Sequence, residues 1–421
     1  MTKNKDTTTI SIVHPVCCGL DVHKKLISAC LITLDREGKE QSEIREFGTF
    51  TDDLITLRDW LLKNKAPIVA MESTGVYWRP VHNILEGYIK VILVNARHIK
   101  NVPGRKTDIK DSKWLASLLR HGLIRGSFIP EKKVRQWREL TQLRRSYTRS
   151  LGDYKRRVHK LFETANIKID SVVSDLFGVT GRNLINLLCD HESQLELDSI
   201  EDCARGSLKS KVVELHRSIQ GFFEDHHRFQ LKTLMRTITA IEDEIASITE
   251  RLTNLMEPHQ DLLDRLDDVP GIDKVSSQSI ISQIGVTLDD FSSENALSSW
   301  SGLCPGNNES AGKRKSGKTA VRKHPLKMIM VEIAWAAIKK KGSYYKVKYY
   351  QLKSRRGAKK AIVAIAHRIL KAIYYIIKYG KTFNDLGEDY LRRKNRVKNF
   401  NSLKKAARQF GFYLLPIQGC Q

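Results

Sequence analysis

The chain has 421 residues, enough for two or three domains with a full core, and 72 Lys and Arg against 47 Asp and Glu leave a net charge of +25. No apolar run reaches the length of a membrane span, and the polar start Met1-Thr-Lys-Asn-Lys-Asp6 lacks a signal peptide's hydrophobic stretch. Seven cysteines without a Cys-x-x-Cys pair complete a pattern that excludes the secreted, membrane-spanning and zinc-finger classes and predicts a soluble intracellular protein with reduced thiols.

From the amino end, Val16–Leu20, Leu26–Thr33 and Ile44–Phe50 read as strands, with Asp21-Val-His-Lys24 closing the first. Thr51-Asp-Asp opens a helix through Leu54, Leu57, Trp60 and Leu61, and the buried strand Ile68–Met71 ends at Glu72-Ser-Thr-Gly75. A helix over 77–86, a strand over 91–94 and a helix beginning near Asp108 follow. Three strands and then alternating helices and strands predict an α/β domain with a mixed sheet.

The acids of this domain fall where chemistry would place them. Asp21 lies on the first strand, Glu72 ends a later one, and Asp108 and Asp111 share one face in the first turn of the closing helix. Taken alone, an Asp-x-x-Asp there complements the helix dipole. Four carboxylates converging at one sheet edge would repel one another unless a hard divalent cation lay between them, and such a site handles phosphates.

From Glu131 the pattern is helical. Trp137, Leu140, Leu143, Tyr147, Leu151, Tyr154, Val158 and Leu161 form a stripe, interleaved with Arg135, Arg138, Arg144, Arg145, Arg149, Arg156 and Arg157. Those arginines either meet a nucleic-acid backbone or form a solvated face. Residues 166–215 read as short helices and loops. Leu231, Leu234, Ile238, Ile241, Ile245, Ile248, Leu252 and Leu255 then make an a/d seam, for an antiparallel hairpin with 135–161 or for contact with a second chain.

Leu266-Asp-Asp-Val-Pro-Gly-Ile-Asp273 between two helical runs is either a helix-hairpin-helix, offering N–H groups to a DNA phosphate, or a plain αα turn. In the stretch from Trp300 to Thr319, Gly312-x-x-x-x-Gly-Lys-Thr319 imitates a phosphate-binding loop but lacks a preceding strand and a βαβ setting. On residue type alone this is a surface loop, in which Ser310 is not separated from Ser316.

The basic charge is concentrated. Residues 311–410 hold 29 Lys and Arg against four acids, Glu332, Asp385, Glu388 and Asp389, which accounts for the whole excess. Interleaved with Tyr344, Tyr345, Tyr349, Tyr350, Tyr374 and Tyr375, the segment fits a nucleic-acid surface on which cations meet phosphates and rings stack on bases. A merely solvated face would carry both signs.

Asp21-Val-His-Lys24, Glu72-Ser-Thr-Gly-Val-Tyr77, Asn95-Ala-Arg97 and Lys106-Thr-Asp-x-x-Asp111 with Trp114-Leu-Ala116 together resemble the RuvC-like, RNase H-fold domain of the D-E-D-D transposases of the insertion-sequence 110 family. Pro270-Gly-Ile272, and Gly302-Leu-Cys-Pro305 followed by Ser310-Ala-Gly312, resemble the family's second catalytic domain. Arg322-Lys-His-Pro-Leu-Lys327 departs from it, where relatives tend to have Gly-Asn and then Leu-Arg.

The resemblance implies an α/β plus α architecture. It comprises a RuvC-like domain over 1–130, a helical, coiled-coil linker and oligomerisation region over 131–260, a transposase domain over 261–380 and a basic tail over 381–421. It implies that Asp21, Glu72, Asp108 and Asp111 bind magnesium, or manganese in its place. Ser310 then attacks DNA to form a phosphoserine intermediate, and Lys313, Arg314, Lys315, Lys318, Arg355, Arg356, Lys359 and Lys360 contact nucleic acid.

Implied partners are donor and target DNA, a bridge RNA that pairs with both, and further copies of the chain in a dimer or tetramer, with the site shared between protomers. The implied setting is the cytoplasm of a bacterial or archaeal cell, in association with the nucleoid. Two other classes are a RuvC-like endonuclease that hydrolyses DNA with water, in which Ser310 is irrelevant, and a nucleic-acid-binding scaffold without catalysis.

Overall fold

The computed structural model describes residues 11–73, 75–95, 111–124, 126–190, 196–305, 308–310, 313–316 and 324–413, except for the side chains of 308–310, 313–316, 397 and 398. The chain divides into two compact units, Met1–Ile129 and Pro130–Gln421. Among the described residues no helix is long and apolar enough to cross a membrane, and Cys17, Cys18, Cys30, Cys189, Cys203 and Cys304 are all unpaired thiols.

The first unit is built on β1 (Cys17–Val22), β2 (Ile27–Leu34), β3 (Glu40–Phe47), β4 (Ile68–Glu72) and β5 (Lys90–Val94), in the order β3-β2-β1-β4-β5. β1, β2 and β3 pair antiparallel, whereas β4 runs parallel to β1 and to β5. Side chains alternate across a strand, and both faces of this sheet are apolar. Cys18, Leu20, Leu31, Val69 and Met71 pack under α1 (Thr51–Lys63) and α2 (Trp78–Leu85). Cys17, Cys30, Ile68, Ala70 and Val94 pack under α3 (Asp111–Arg120) through Leu115, Ala116, Leu118 and Leu119. A mixed sheet of this order, covered on both faces, is RNase H-like.

The third strand begins at Glu40, not at Ile44. Asp35 accepts the N–H groups of Glu37 at 2.9 Å and Lys39 at 2.8 Å, and Gly38 takes φ +78°, so the turn closes early. Glu40–Glu46 is then an exposed edge, and its mixture of charges gives no apolar period to read.

The second unit is helical. α4 (Lys132–Thr164) and α6 (Asp225–Met256) lie antiparallel, with Trp137 edge-on to His259 at 5.6 Å, Arg144 on Thr249 and Lys155 on Glu242 at 3.2 Å. Leu231, Ile238, Ile241, Ile248 and Leu252 are buried in this unit. Within the chain the seam packs on α4 as the antiparallel hairpin. Between the long helices, residues 166–190 and 196–221 fold as a cap. They include α5 (Val179–Asp190) and enclose Phe162, Ile167, Leu184, Ile185, Leu215 and Leu231. The excursion closes where the N–H of Phe222 donates to the carbonyl of Ala165 at 2.8 Å.

The apolar stripe of α4 is displaced in its middle. Leu143 is 46% exposed, while Thr141 and Arg144 are buried. The reason lies beyond the hairpin. After α7 (Gln260–Asp267), α8 (Lys274–Ile284) meets α4 with Gln278 and Ser282, and polar side chains there select polar partners.

The Val269-Pro-Gly-Ile272 turn joins α7 to α8 as expected, but it faces inward. Val269, Pro270 and Ile272 are buried. Gly271, at φ +86°, lies so close to α10 (Pro325–Ala337) that a Cβ would stand 2.4 Å from the Ile333 carbonyl. The turn thus buries its apolar side chains and packs Gly271 against α10.

α9 (Glu294–Trp300), α10 and α11 (Tyr344–Arg356) surround α12 (Ala358–Tyr379), whose Ile362, Ile365, Ile369 and Ile373 are buried. The basic α13 (Asp389–Gln409) follows. The tyrosines correct a further expectation. Tyr345, Tyr349 and Tyr374 are core residues, with burial pushing the Tyr345 hydroxyl well above its usual pKa. Tyr350 and Tyr375 remain exposed.

Candidate active site

Alternation along β1 sends Cys17, Gly19 and Asp21 toward α3, and along β4 it sends Ile68, Ala70 and Glu72 the same way. The two strands are parallel, with Leu20 opposite Met71. Asp21 and Glu72, each the next residue, thus lie at one level and on one face, Asp21 as the penultimate residue of β1 and Glu72 as the last of β4.

α3 brings the third acid. Gly19 has no side chain to hold the helix off, and a Cβ there would meet the Ser112 carbonyl at 2.2 Å and the Ala116 nitrogen at 2.5 Å. The Ser112 hydroxyl lies 3.2 Å from that of Ser28, which sits opposite Asp21 in the β1–β2 register. The first turn of α3 is thereby fixed over the end of β1, with Asp111 exposed at its start. Asp108 lies outside the described residues.

The carboxylate of Asp21 is hydrogen-bonded to Nε2 of His23 at 3.1 Å. Aspartate and glutamate oxygens at a sheet end are the donors a hard divalent cation prefers, so the chemistry of the set fits such an ion. The three described carboxylates share a face without lying within mutual ligand distance. Among the described residues the trio that does, with all ligating atoms within 4.8 Å of one another, is Glu224, His226 and His227. That trio caps α6. The Glu224 N–H donates to His227 Nδ1 at 3.2 Å, and burial, helped by His226, lowers the pKa of His227 and keeps it an acceptor.

Ser310 lies on backbone the sequence reads as loop. Asn308–Ser310 (β6) and Lys313–Ser316 (β7) form an antiparallel hairpin, with Ser310 opposite Lys313 and Glu309 opposite Arg314. Strand pairing is foreign to a phosphate-binding loop, whose backbone N–H groups must be free for phosphate. The side chains of Ser310, Lys313, Arg314, Lys315 and Ser316, and all of Lys318, lie outside the described residues.

The roots of this segment are anchored. Cys304 Sγ is 4.0 Å from His367 Nε2 on α12, and His324 packs edge-on against Trp300 at 4.3 Å while its Nδ1 accepts the Leu326 N–H to cap α10. Nearby, Arg355 and Arg356 end α11, Gly357 turns the chain at φ +76°, and Lys359 and Lys360 begin α12. All four cations are exposed at this single corner.

The residues least visible in the sequence are Ser28, Ser112 and Gly19, which carry no charge and no periodicity. They position the acids instead of supplying them.

Residues 18–167 match the family model of the DEDD transposases of the IS110 type, described as Transposase, and residues 263–351 match the model described as the transposase IS116/IS110/IS902 family. The first match includes Asp21, Glu72, Asp108 and Asp111, and the second includes Ser310. No curated protein matches the chain.

Proposed function

From a chain that belongs to the IS110 family, a transposase of insertion sequences and hence an enzyme acting on DNA, we propose a recombinase that breaks and rejoins DNA through Ser310. Asp21, Glu72, Asp108 and Asp111 would hold a divalent cation, magnesium or manganese. The observation that carries the reading is the placement of Asp21, Glu72 and Asp111 on one face at the ends of β1, β4 and α3.

When bound, the cation supplies charge neutralisation at the reacting phosphate. The Ser310 oxygen attacks phosphorus, the DNA oxygen leaves with the electron pair of the bond that breaks, and the proton lost by the serine hydroxyl is balanced by the one that oxygen takes up as it becomes a DNA hydroxyl. The Ser–O–P link keeps the phosphodiester's bond energy, and a DNA hydroxyl later displaces the serine. Lys313, Arg314, Lys315 and Lys318 belong to the serine hairpin and its flank, where they would neutralise phosphate.

Arg355, Arg356, Lys359 and Lys360 form a cationic corner suited to nucleic-acid backbone. A bridge RNA paired with donor and target DNA would need only such backbone contacts, since base pairing selects the sequence. Assembly into a dimer or tetramer belongs to the same reading.

The test combines full-length protein, magnesium, candidate bridge RNA and supercoiled donor and target DNA, resolved on a denaturing gel. Protein-linked DNA that disappears in Ser310→Ala, in Asp21→Asn and on chelation is the expected result. Free nicked DNA with no adduct, unchanged in Ser310→Ala, would show hydrolysis by water instead.

A further inference from the structure

The sequence leaves the seven arginines of α4 unsorted, and the structure sorts them. Arg135 donates to the Pro130 carbonyl at 2.9 Å. Arg138 donates to the carbonyls of Ser282 at 3.1 Å and Gln283 at 2.6 Å, closing the carboxyl end of α8. Arg156 pairs with Asp153, and Arg157 lies over the Tyr154 ring at 4.7 Å.

Arg144 is only 4% exposed. Its Nη1 donates to Gln278 Oε1 at 2.8 Å and Thr249 Oγ1 at 3.5 Å, and its Nη2 donates to the Val275 carbonyl at 3.2 Å and Ser279 Oγ at 3.4 Å. Every one of these partners is neutral. Asp273, which caps α8, favours the guanidinium from a distance, while burial disfavours it. A buried cation bonded only to neutral groups leaves a charge that an anion can answer.

The remaining two arginines lie on the same cleft. Between α4, α6, α8 and α10 is an opening of about 560 Å³ lined by Arg144, Arg145, Arg149, Ser276, Ser279 and Glu332, among others. That volume suits a phosphate with its adjoining sugar. Arg145 is held by Glu332 at 2.8 Å in a partly exposed pair, and Arg149 is exposed and pairs with no acid among the described residues. Three guanidinium groups thus face one carboxylate. Arginine forks and serine hydroxyls are the donors that grip a phosphate's oxygens.

We propose that this cleft binds a backbone phosphodiester of nucleic acid, with Arg145 and Arg149 as the contacting residues and Arg144 as the fixed positioning cation behind them. The proposal rests on the nucleic-acid reading above and extends it from the basic carboxyl segment to the helical hairpin. RNA and DNA present the same phosphodiester, so the experiment separates them.

Full-length protein is titrated against a labelled RNA stem-loop and, separately, a labelled DNA duplex, with fluorescence anisotropy read over a range of salt. Arg145→Ala/Arg149→Ala should weaken binding of one or both by about tenfold and make the salt slope shallower by about one to two. The probe that loses affinity identifies the source. Glu332→Gln, which frees Arg145, should tighten the same probe by about threefold. Lys132→Ala/Lys133→Ala removes two exposed cations from the same helix and should change binding less than about twofold.

Equal losses in that control, or unchanged affinity and slope for both probes in the arginine variant, overturn the cleft and leave the general reading intact. Wild-type protein that binds neither probe overturns both.

Discussion

Gly19 on β1 and Ser112 on α3 meet backbone to backbone, so closely that a Cβ on Gly19 would lie 2.2 Å from the Ser112 carbonyl oxygen. The atoms in the way belong to a helix and cannot rotate aside. Gly19→Ala should therefore cost about 3 kcal/mol, the upper part of the range for overpacking. Thermal unfolding measures it, and a folded variant with an unshifted midpoint would show that α3 lifts freely. Because the helix carries Asp111 over β1, DNA strand transfer should fall further than the folded fraction does.

Ser28 and Ser112 hold that helix turn in place laterally, with hydroxyls 3.2 Å apart. Single alanine substitutions should each cost about 1 kcal/mol, and the pair should cost less than the sum by about 0.5 kcal/mol or more. A double-mutant cycle by chemical denaturation reads the coupling. Strict additivity would mean that the two hydroxyls do not depend on each other.

Arg144→Ala removes the donor to Gln278 and opens space between three helices. The expected loss is about 3 kcal/mol, from an amide left without its partner and from the cavity. Arg144→Lys should not restore it, since one ammonium cannot reach acceptors on both α6 and α8 in the directions a guanidinium does. Recovery of the unfolding midpoint in the lysine variant would assign the effect to charge alone.

His367 makes stability depend on pH. Burial, then Lys371 and Arg368, lower its pKa, against a smaller opposing effect of Glu294. The unfolded chain, in which histidine titrates near about 6.5, binds the proton more readily than the fold does. Stability from this group is thus complete above that pH and is lost as pH falls through the unfolded value toward the folded one. Between about pH 7 and about pH 5, His367→Gln should show a smaller fall in unfolding temperature than wild type. An equal fall in both would remove His367 from the account.

The sheet was legible because its strands obey local rules. Ile68–Met71 is apolar on both faces, and Asp21 and Glu72 stand out as the acids at the carboxyl ends of such runs. The middle of α4 was not, because the rule that buries Leu143 before Arg144 holds only for an apolar neighbour. Gln278 and Ser282, which reverse it, lie more than a hundred residues away. Tyr345, Tyr349 and Tyr374 misled for a related reason. A ring beside lysines is amphipathic, and composition does not say whether its body meets a base or the isoleucines of α12.

The hydrogen bond from Phe222 to Ala165 gives the cap a further property. Residues 166–221 leave and re-enter the hairpin at touching points, so their length is almost independent of the geometry of the two long helices. Closure entropy grows only slowly with loop length, so the exposed loops of the cap can lengthen at little cost, provided that Leu184, Ile185 and Leu215 keep their packing on Phe162 and Leu231. Loop length at the far end of the hairpin can therefore change without disturbing the register that fixes Arg138 and Arg144 against α8.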